Sequence, residues 1–426
     1  PPDNRRLMQR TLADGLDLHA GTDVFTIFRD QSTGLEYLRN NQEMTDRGLH
    51  IELGAYRYHV FMDFRQVVDD EQHRYARLAD RLDGRGVPSI DETLQELLYT
   101  PVRLPFMQVV NATNFRRLIR ALEPMPKGAR PITDPHETRD EVLDDIEAKT
   151  RAMLVAIYDF SQGQGNPESI AADIRRELEA VAELPHLARS YRARKGSDFR
   201  AAAAYIEDGL DSDPIIWGGL LAYVFTHALG KVAAADGFER QSRSWLDEWR
   251  LGSIITRTLR DLGATDEQAT QAAAAIRVFV AQQASFERSA TPQRQAAQVL
   301  EAWLKDPDVQ RFMRVNRYQD KLWFNKDAFE QLLWGMLLRA ALRATADPDL
   351  TRKEVVDLIG RRYAIVRRLQ QAADSSEYKV NQLLAAARGE PVVADAPPSA
   401  KKARPAANAD RTDNQGKAGQ AEEPSP

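Results

Sequence analysis

The sequence predicts a mainly α protein, a multi-helix array with a small N-terminal β-region and a disordered C-terminal tail. Three observations predict it. Apolar residues recur at helical spacing downstream of residue 70. The best β-branched and aromatic runs lie between residues 24 and 64. The last stretch, Glu390 to Pro426, holds six prolines and nine alanines with no aromatic residue, no Leu and no Ile, so it cannot bury enough apolar surface to offset its ordering entropy.

Taken in chain order, Val24–Phe28 (VFTIF) is a strand signal closed by the turn chemistry of Asp30, Ser32 and Gly34. Leu49–Phe64 (LHIELGAYRYHVFMDF) is the strongest strand signal in the chain. From Tyr56 its aromatic and aliphatic residues alternate (Tyr56, Tyr58, Val60, Met62, Phe64), with Arg57, His59, Asp63 and Arg65 among the opposite set. Gly54 sits where a bulge or bend would divide the run. A sheet of two or three strands needs a covering layer; a small sheet region near residues 20–68 is expected, with room for partner strands outside this chain. Beyond residue 70 the period becomes helical, for about a dozen helices up to residue 388. Leu251, Ile254, Ile255, Thr258, Leu259 and Leu262 trace one buried face, as do Ile170, Ile174, Leu178 and Val181. Leu143, Ile146, Met153, Leu154 and Ile157 trace another. Ser89-Ile-Asp-Glu92, Thr265-Asp-Glu-Gln268 and Thr351-Arg-Lys-Glu354 match capping boxes. Asp134-Pro135, Asn166-Pro167, Asp213-Pro214, Asp306-Pro307 and Asp347-Pro348 each place a capping side chain before a proline suited to the first helical position. The organisation expected is a β-containing region over 1–70, helical domains over 71–388 with a candidate division near 125–135, and the tail over 389–426.

Composition narrows the function. Fifty-eight Lys+Arg against 63 Asp+Glu give a formal net charge of −5, which argues against a nucleic-acid partner. The absence of cysteine excludes disulfides, thiolate metal sites and cysteine nucleophiles, and fits a reducing compartment such as the cytoplasm. The chain opens on Pro1 and its first twenty residues carry Arg5, Arg6, Asp14 and Asp17, so it reads as a fragment or processed chain without a signal peptide. Ile215–Val232 (IIWGGLLAYVFTHALGKV) approaches spanning length, but Gly218-Gly219, Thr226, His227 and Lys231 favour a central buried helix over a membrane span. The two glycines would then allow close backbone approach.

The candidate chemistry is sparse. Asp211/Asp213, Asp306/Asp308 and Asp347/Asp349 are paired carboxylates of the kind general acid/base or metal chemistry uses, but each pair lies at an expected helix start, where capping accounts for it. The seven histidines (His19, His50, His59, His73, His136, His186 and His227) form no H-E-x-x-H and no i, i+3 or i+4 pair, so no metal site is expected. His59 stands out because a half-buried strand would orient it, toward a ligand or into a structural hydrogen bond. No P-loop, dinucleotide fingerprint or nucleophile elbow is present, and no cofactor is implied. Trp245 and Trp249 share a helix face, a core signature. The loop-like Asn316–Asn325 segment is polar and aromatic together. Its Tyr318 and Trp323 could present flat apolar area with a polar rim to a sugar ring or a partner protein, or staple the helix that follows. Lys401-Lys402-Ala403-Arg404 reads as a solvated charge cluster in the tail.

Three segments carry a resemblance. Phe28-Arg-Asp-Gln-Ser-Thr-Gly-Leu-Glu-Tyr-Leu38, Ala55-Tyr-Arg-Tyr-His-Val-Phe-Met-Asp-Phe-Arg65 and Gly84-Arg-Gly-Val-Pro-Ser-Ile90 resemble the region after the catalytic barrel in bacterial α-amylase-like proteins of glycoside hydrolase family 13. Asp306–Leu333, with Val315-Asn-Arg-Tyr318 and Trp323-Phe-Asn-Lys326, resembles their helical extension. The resemblance spans residues 20–370. It implies a retaining enzyme on α-glucans whose Asp nucleophile and Glu acid/base sit about 5–5.5 Å apart on a barrel of about 250 residues. This chain lacks the β/α alternation of such a barrel, the Asn-His-Asp triplet and the Gly-x-Arg-x-Asp strand end, so no catalytic residue carries over. What the resemblance implies is the non-catalytic C-terminal portion of such a protein. It would support the barrel upstream in the same polypeptide or extend the surface offered to α-glucan or a partner, with His59, Tyr318 and Trp323 as candidate binding residues. A helical interaction scaffold with no carbohydrate role is the rival expectation.

Overall fold

Short-range chemistry sets most of the element boundaries. The computed structural model describes residues 10–51, 53–122, 137–210, 213–283 and 292–391. A one-turn helix, α1 (Leu12–Gly15), precedes β1 (Val24–Asp30) and β2 (Glu36–Asn40). The Asn40 side chain then accepts the Gln42 and Glu43 N–H groups and turns the chain into α2 (Asn41–Arg47). The third strand, β3 (Phe61–Val68), completes an antiparallel sheet of order β2-β1-β3. Phe25 and Ile27 on one face of β1 pack with Leu38 against Leu78 and Leu82 of α3 (Arg74–Leu82) and Ile90 of α4 (Ile90–Leu98). The covering layer that so small a sheet requires is therefore helical and local.

The strand signal over Leu49–Phe64 overshoots. Only Phe61 onward is strand, and the chain before it is irregular with a turn at Ala55-Tyr56. The alternation is also out of phase with expectation. Tyr56, Tyr58, Val60 and Met62 are exposed, while Phe61, Phe64 and Val67 turn inward. Within β3, a bulge explains the change of phase. The register slips between Ile27 and Arg29 of β1, opposite Asp63, whose φ is +56°, and an extra residue there moves every later side chain to the other face.

A single large apolar cluster then runs from Val102 to Ala387. It is built from α5 (Thr100–Val109), α6 (Ala112–Leu122), α7 (Arg139–Ser161), α8 (Pro167–Val181), α9 (Leu187–Ser190), α10 (Asp198–Gly209) and α11 (Pro214–Thr226). The chain goes on through α12 (Phe238–Glu248), α13 (Leu251–Asp261), α14 (Asp266–Ala281), α15 (Pro292–Lys305) and α16 (Pro307–Phe312). A two-stranded hairpin, β4 (Asn316–Tyr318) and β5 (Lys321–Trp323), leads into α17 (Lys326–Ala346), α18 (Arg352–Ser375) and α19 (Val380–Arg388). These outnumber the dozen expected, because one-turn pieces such as α9 are too short to show a period.

The caps follow the sequence closely. Thr265/Gln268 and Thr351/Glu354 are reciprocal boxes, and Asn166, Asp213 and Asp306 cap helices that open on proline. Two expectations fail in detail. Ser89 caps α4 one way only, because Glu92 pairs with Arg250 at 3.0 Å instead of folding back. Asp347 follows the end of α17 and accepts the Asp349 N–H at 3.0 Å in a turn, while Thr351 starts the next helix. Asp134, Asp211 and the tail beyond Pro391 lie outside the described residues.

The apolar stretch over 214–232 is a core element: 78% of it is buried. Trp217 and every residue from Leu220 to Phe225 are buried, so α11 has no polar face. A helix surrounded by other helices needs none.

Candidate functional site

The three motif segments, far apart in sequence, form one unit, joined through two carboxylates, Asp30 and Glu36. Asp30 ends β1 with its side chain fully buried. One of its oxygens accepts the Ser32 N–H at 3.0 Å and the Ser32 hydroxyl at 2.7 Å, and the other accepts the Thr33 hydroxyl at 2.8 Å. That closes a turn in which Gly34 takes the positive φ of +73° that favours glycine. From the second segment, His59 sets Nδ1 at 2.8 Å from Asp30 Oδ2 and stacks on Phe61 with centroids 5.7 Å apart. Burial alone would push the Asp30 carboxyl up. Hydrogen bonds from the Ser32 side chain, His59, the Thr33 hydroxyl and the Ser32 N–H outweigh it and hold the group far below the usual carboxylate range.

The third segment closes on the second strand. Glu36 and Val87 exchange backbone hydrogen bonds of 2.7 and 2.9 Å. The Glu36 carboxylate accepts the Ile90 N–H at 2.9 Å and pairs with Arg29 at 2.7 Å. Gly86 lies so close under Tyr37 that a Cβ there would meet the ring at 2.7 Å. Phe28 sits at the centre, with Phe61, Phe64 and Tyr37 at 5.1, 5.2 and 5.7 Å between centroids.

This unit carries an unusual surface. Ile51, Leu53, Tyr56, Tyr58, Val60, Met62 and Val68 are all exposed, Tyr56 completely and Tyr58 at 73%. Exposed apolar residues scattered singly are ordinary, whereas a run of them marks an interaction surface. The run also leads into β3, an outer strand of the sheet, where unpaired N–H and C=O groups add hydrogen-bonding capacity. His59 is not part of that surface. Its ring is committed to Asp30, which is the structural hydrogen bond its sequence context allowed.

Tyr318 and Trp323 belong to a different region. Gln319 and Asp320 both have positive φ, +48° and +60°, the geometry of a tight two-residue hairpin. Asn316–Trp323 is therefore a hairpin instead of a loop. The Trp323 N–H donates to Tyr318 O at 3.3 Å, and Lys379 Nζ lies over the indole at 5.3 Å, so a flat ring face is already covered. Tyr318 projects at 62% exposure. Phe324 does the stapling: it is buried and meets Phe329, one turn into α17, at 5.3 Å across the Asn325 cap.

The remaining candidates resolve into structural networks. Asp306 caps α16 and accepts Gln282 at 2.7 Å and Arg243 at 3.1 Å. Asp308 is buried among Arg243, Arg277 and Arg311, the last two at 2.9 and 2.8 Å. His227 is buried between Glu177 at 2.7 Å and Gln283 at 3.2 Å, partners some fifty residues away on each side that no spacing rule brings together. Among the described residues no group of His, Asp and Glu is arranged to hold a metal ion. In comparison with known proteins, the chain matches no family model, no curated protein and no solved structure.

Proposed function

We propose that this chain is the non-catalytic C-terminal portion of an α-amylase-like glycoside hydrolase acting on α-glucans, and that its sheet unit docks on the catalytic barrel. One observation carries the reading. The three segments that resemble the post-barrel region converge on one sheet, and one of them, around Tyr56 and Tyr58, leads the exposed apolar run. A surface of that kind is stable when another domain covers it. Support of the barrel is a better fit than extension of the glucan surface, because the indole of Trp323 lies under Lys379 and only Tyr318 stands clear.

Reading the coding sequence upstream of Pro1 tests the proposal. Barrel motifs of the α-amylase type are expected there, and an upstream region without them overturns it, leaving the apolar run as a docking face for a separate protein, the scaffold reading. In the full polypeptide, Tyr56→Ser with Tyr58→Ser is expected to lower the thermal unfolding midpoint of the catalytic domain. An unchanged midpoint removes the sheet from that role. Titration of the isolated chain with maltohexaose is expected to leave tryptophan fluorescence unchanged, and a saturable response would shift the role to glucan binding.

A further inference from the structure

A cleft of about 590 Å³ opens between α10, α11, α14 and α17. That volume lies within the range of small-molecule sites, about 300–1,000 Å³. Its walls are apolar, with Ile216, Ile276 and Leu338 beside the rings of Tyr205, Phe279 and Trp334. Two of those rings pack directly on glycines that also line the cleft. A Cβ on Gly335 would meet the Phe279 ring at 2.2 Å, and one on Gly209 would meet Trp334 Nε1 at 2.1 Å. The aromatic walls are therefore set before anything enters.

Gly219 shows that the space itself is kept open. It lies inside α11 and lines the cleft, and a Cβ built on it meets no atom within 4 Å. Its neighbour Gly218 is required by packing, since a Cβ there would meet Leu262 and Leu259 at 2.7 and 2.9 Å. No packing requirement applies to Gly219, although glycine inside a helix costs about 1 kcal/mol relative to alanine.

The polar groups fix the kind of occupant. Tyr205 Oη and Gln370 Nε2 hold Glu330 by the same oxygen, Oε2, at 3.3 and 2.9 Å. Asp208 is exposed at the rim, where Gln271 donates to Gln331 at 2.9 Å. Among the described residues Arg339 is the one cation in the lining; it is buried, donates to Phe279 O and lies over the rings of Tyr223 and Phe279 at 5.4 and 5.6 Å. Two carboxylates against one committed guanidinium disfavour an anion and favour a hydrogen-bond donor.

We propose that this cleft binds a small, uncharged, largely apolar molecule bearing a hydrogen-bond donor, its body against Phe279 and Trp334 and its donor directed to Glu330. The site is built wholly from the helical cluster and does not depend on the docking reading of the sheet. Calorimetric titration of the full chain tests it with two probes of the same apolar body, 4-hexylphenol and 4-hexylbenzoate. The phenol is expected to bind one to one and raise the unfolding midpoint, and the benzoate to bind at least roughly tenfold more weakly. Gly219→Leu fills the cleft from α11 and is expected to weaken phenol binding by roughly tenfold or more without lowering the unfolding midpoint. Ala275→Leu fills it from α14 and is expected to do the same, so the test survives if one variant does not fold. Absence of phenol binding to the unaltered chain, equal binding of the two probes, or unchanged binding in the filled variants would each overturn the proposal.

Discussion

Asp30 shows how much one side chain can hold. It joins the Ser32–Thr33 turn to His59 and has no exposure to water, so Asp30→Ala takes the acceptor from the Ser32 N–H, the Ser32 and Thr33 hydroxyls and the His59 ring. A loss of about 2–3 kcal/mol is expected, read by urea unfolding at neutral pH. The pH dependence has a definite sign. The folded carboxyl titrates below its unfolded value of about 3.9, so its stabilisation is complete above that value and is lost as pH falls through the folded one. Between pH 7 and pH 3 the unaltered chain should therefore lose more stability than Asp30→Asn. Asp308 is the second such residue. Replacing it with alanine removes one carboxylate acceptor from each of Arg243 and Arg277, which keep Asp306 and Asp247, and a cost of about 1.5–3 kcal/mol is expected from the same measurement. Neither role is visible in sequence. Asp30 reads there as turn chemistry and Asp308 as half of a capping pair, because their partners come from segments about 30 to 65 residues away.

The elements themselves were largely legible, since each rests on neighbours three or four residues apart. The faces read from Leu251 to Leu259 and from Ile170 to Val181 are buried as the period requires, and Trp245 stacks on Trp249 at 4.4 Å. The Gly218-Gly219 pair of α11 divides into two roles that sequence could not separate. Gly218→Ala drives a methyl into Leu262 and Leu259 and is expected to cost about 1–3 kcal/mol. Gly219→Ala meets nothing and is expected to gain about 1 kcal/mol of helix propensity. Thermal unfolding followed by circular dichroism distinguishes the two. Where reading by pattern failed, at Tyr56–Phe64, the chain is irregular up to Val60, and within β3 the bulge at Asp63 breaks the period-two rule and gives no signal of its own at that site.

For the molecule as a whole, the decisive contrast is between a helical body with a continuous core and a sheet unit whose apolar run has no cover. Tyr56→Ser with Tyr58→Ser should leave the stability of the isolated chain within about 0.5 kcal/mol of the original, because neither side chain contributes to the core. The same variant should reduce self-association in sedimentation velocity, if the run is the adhesive surface its exposure indicates. An isolated chain destabilised by the double substitution would mean that the tyrosines pack within the unit, contrary to their exposure.

Sequence alone determined the class of this protein, its helix starts and most of its buried faces, because those depend on the chemistry of residues within one or two turns of each other. Tertiary structure decided the rest: which aspartates are anchors, which tyrosines face outward, and that Gly219 borders open space. Those properties depend on what lies opposite a residue after the chain has folded, and the groups opposite come from distant segments whose approach no local pattern encodes.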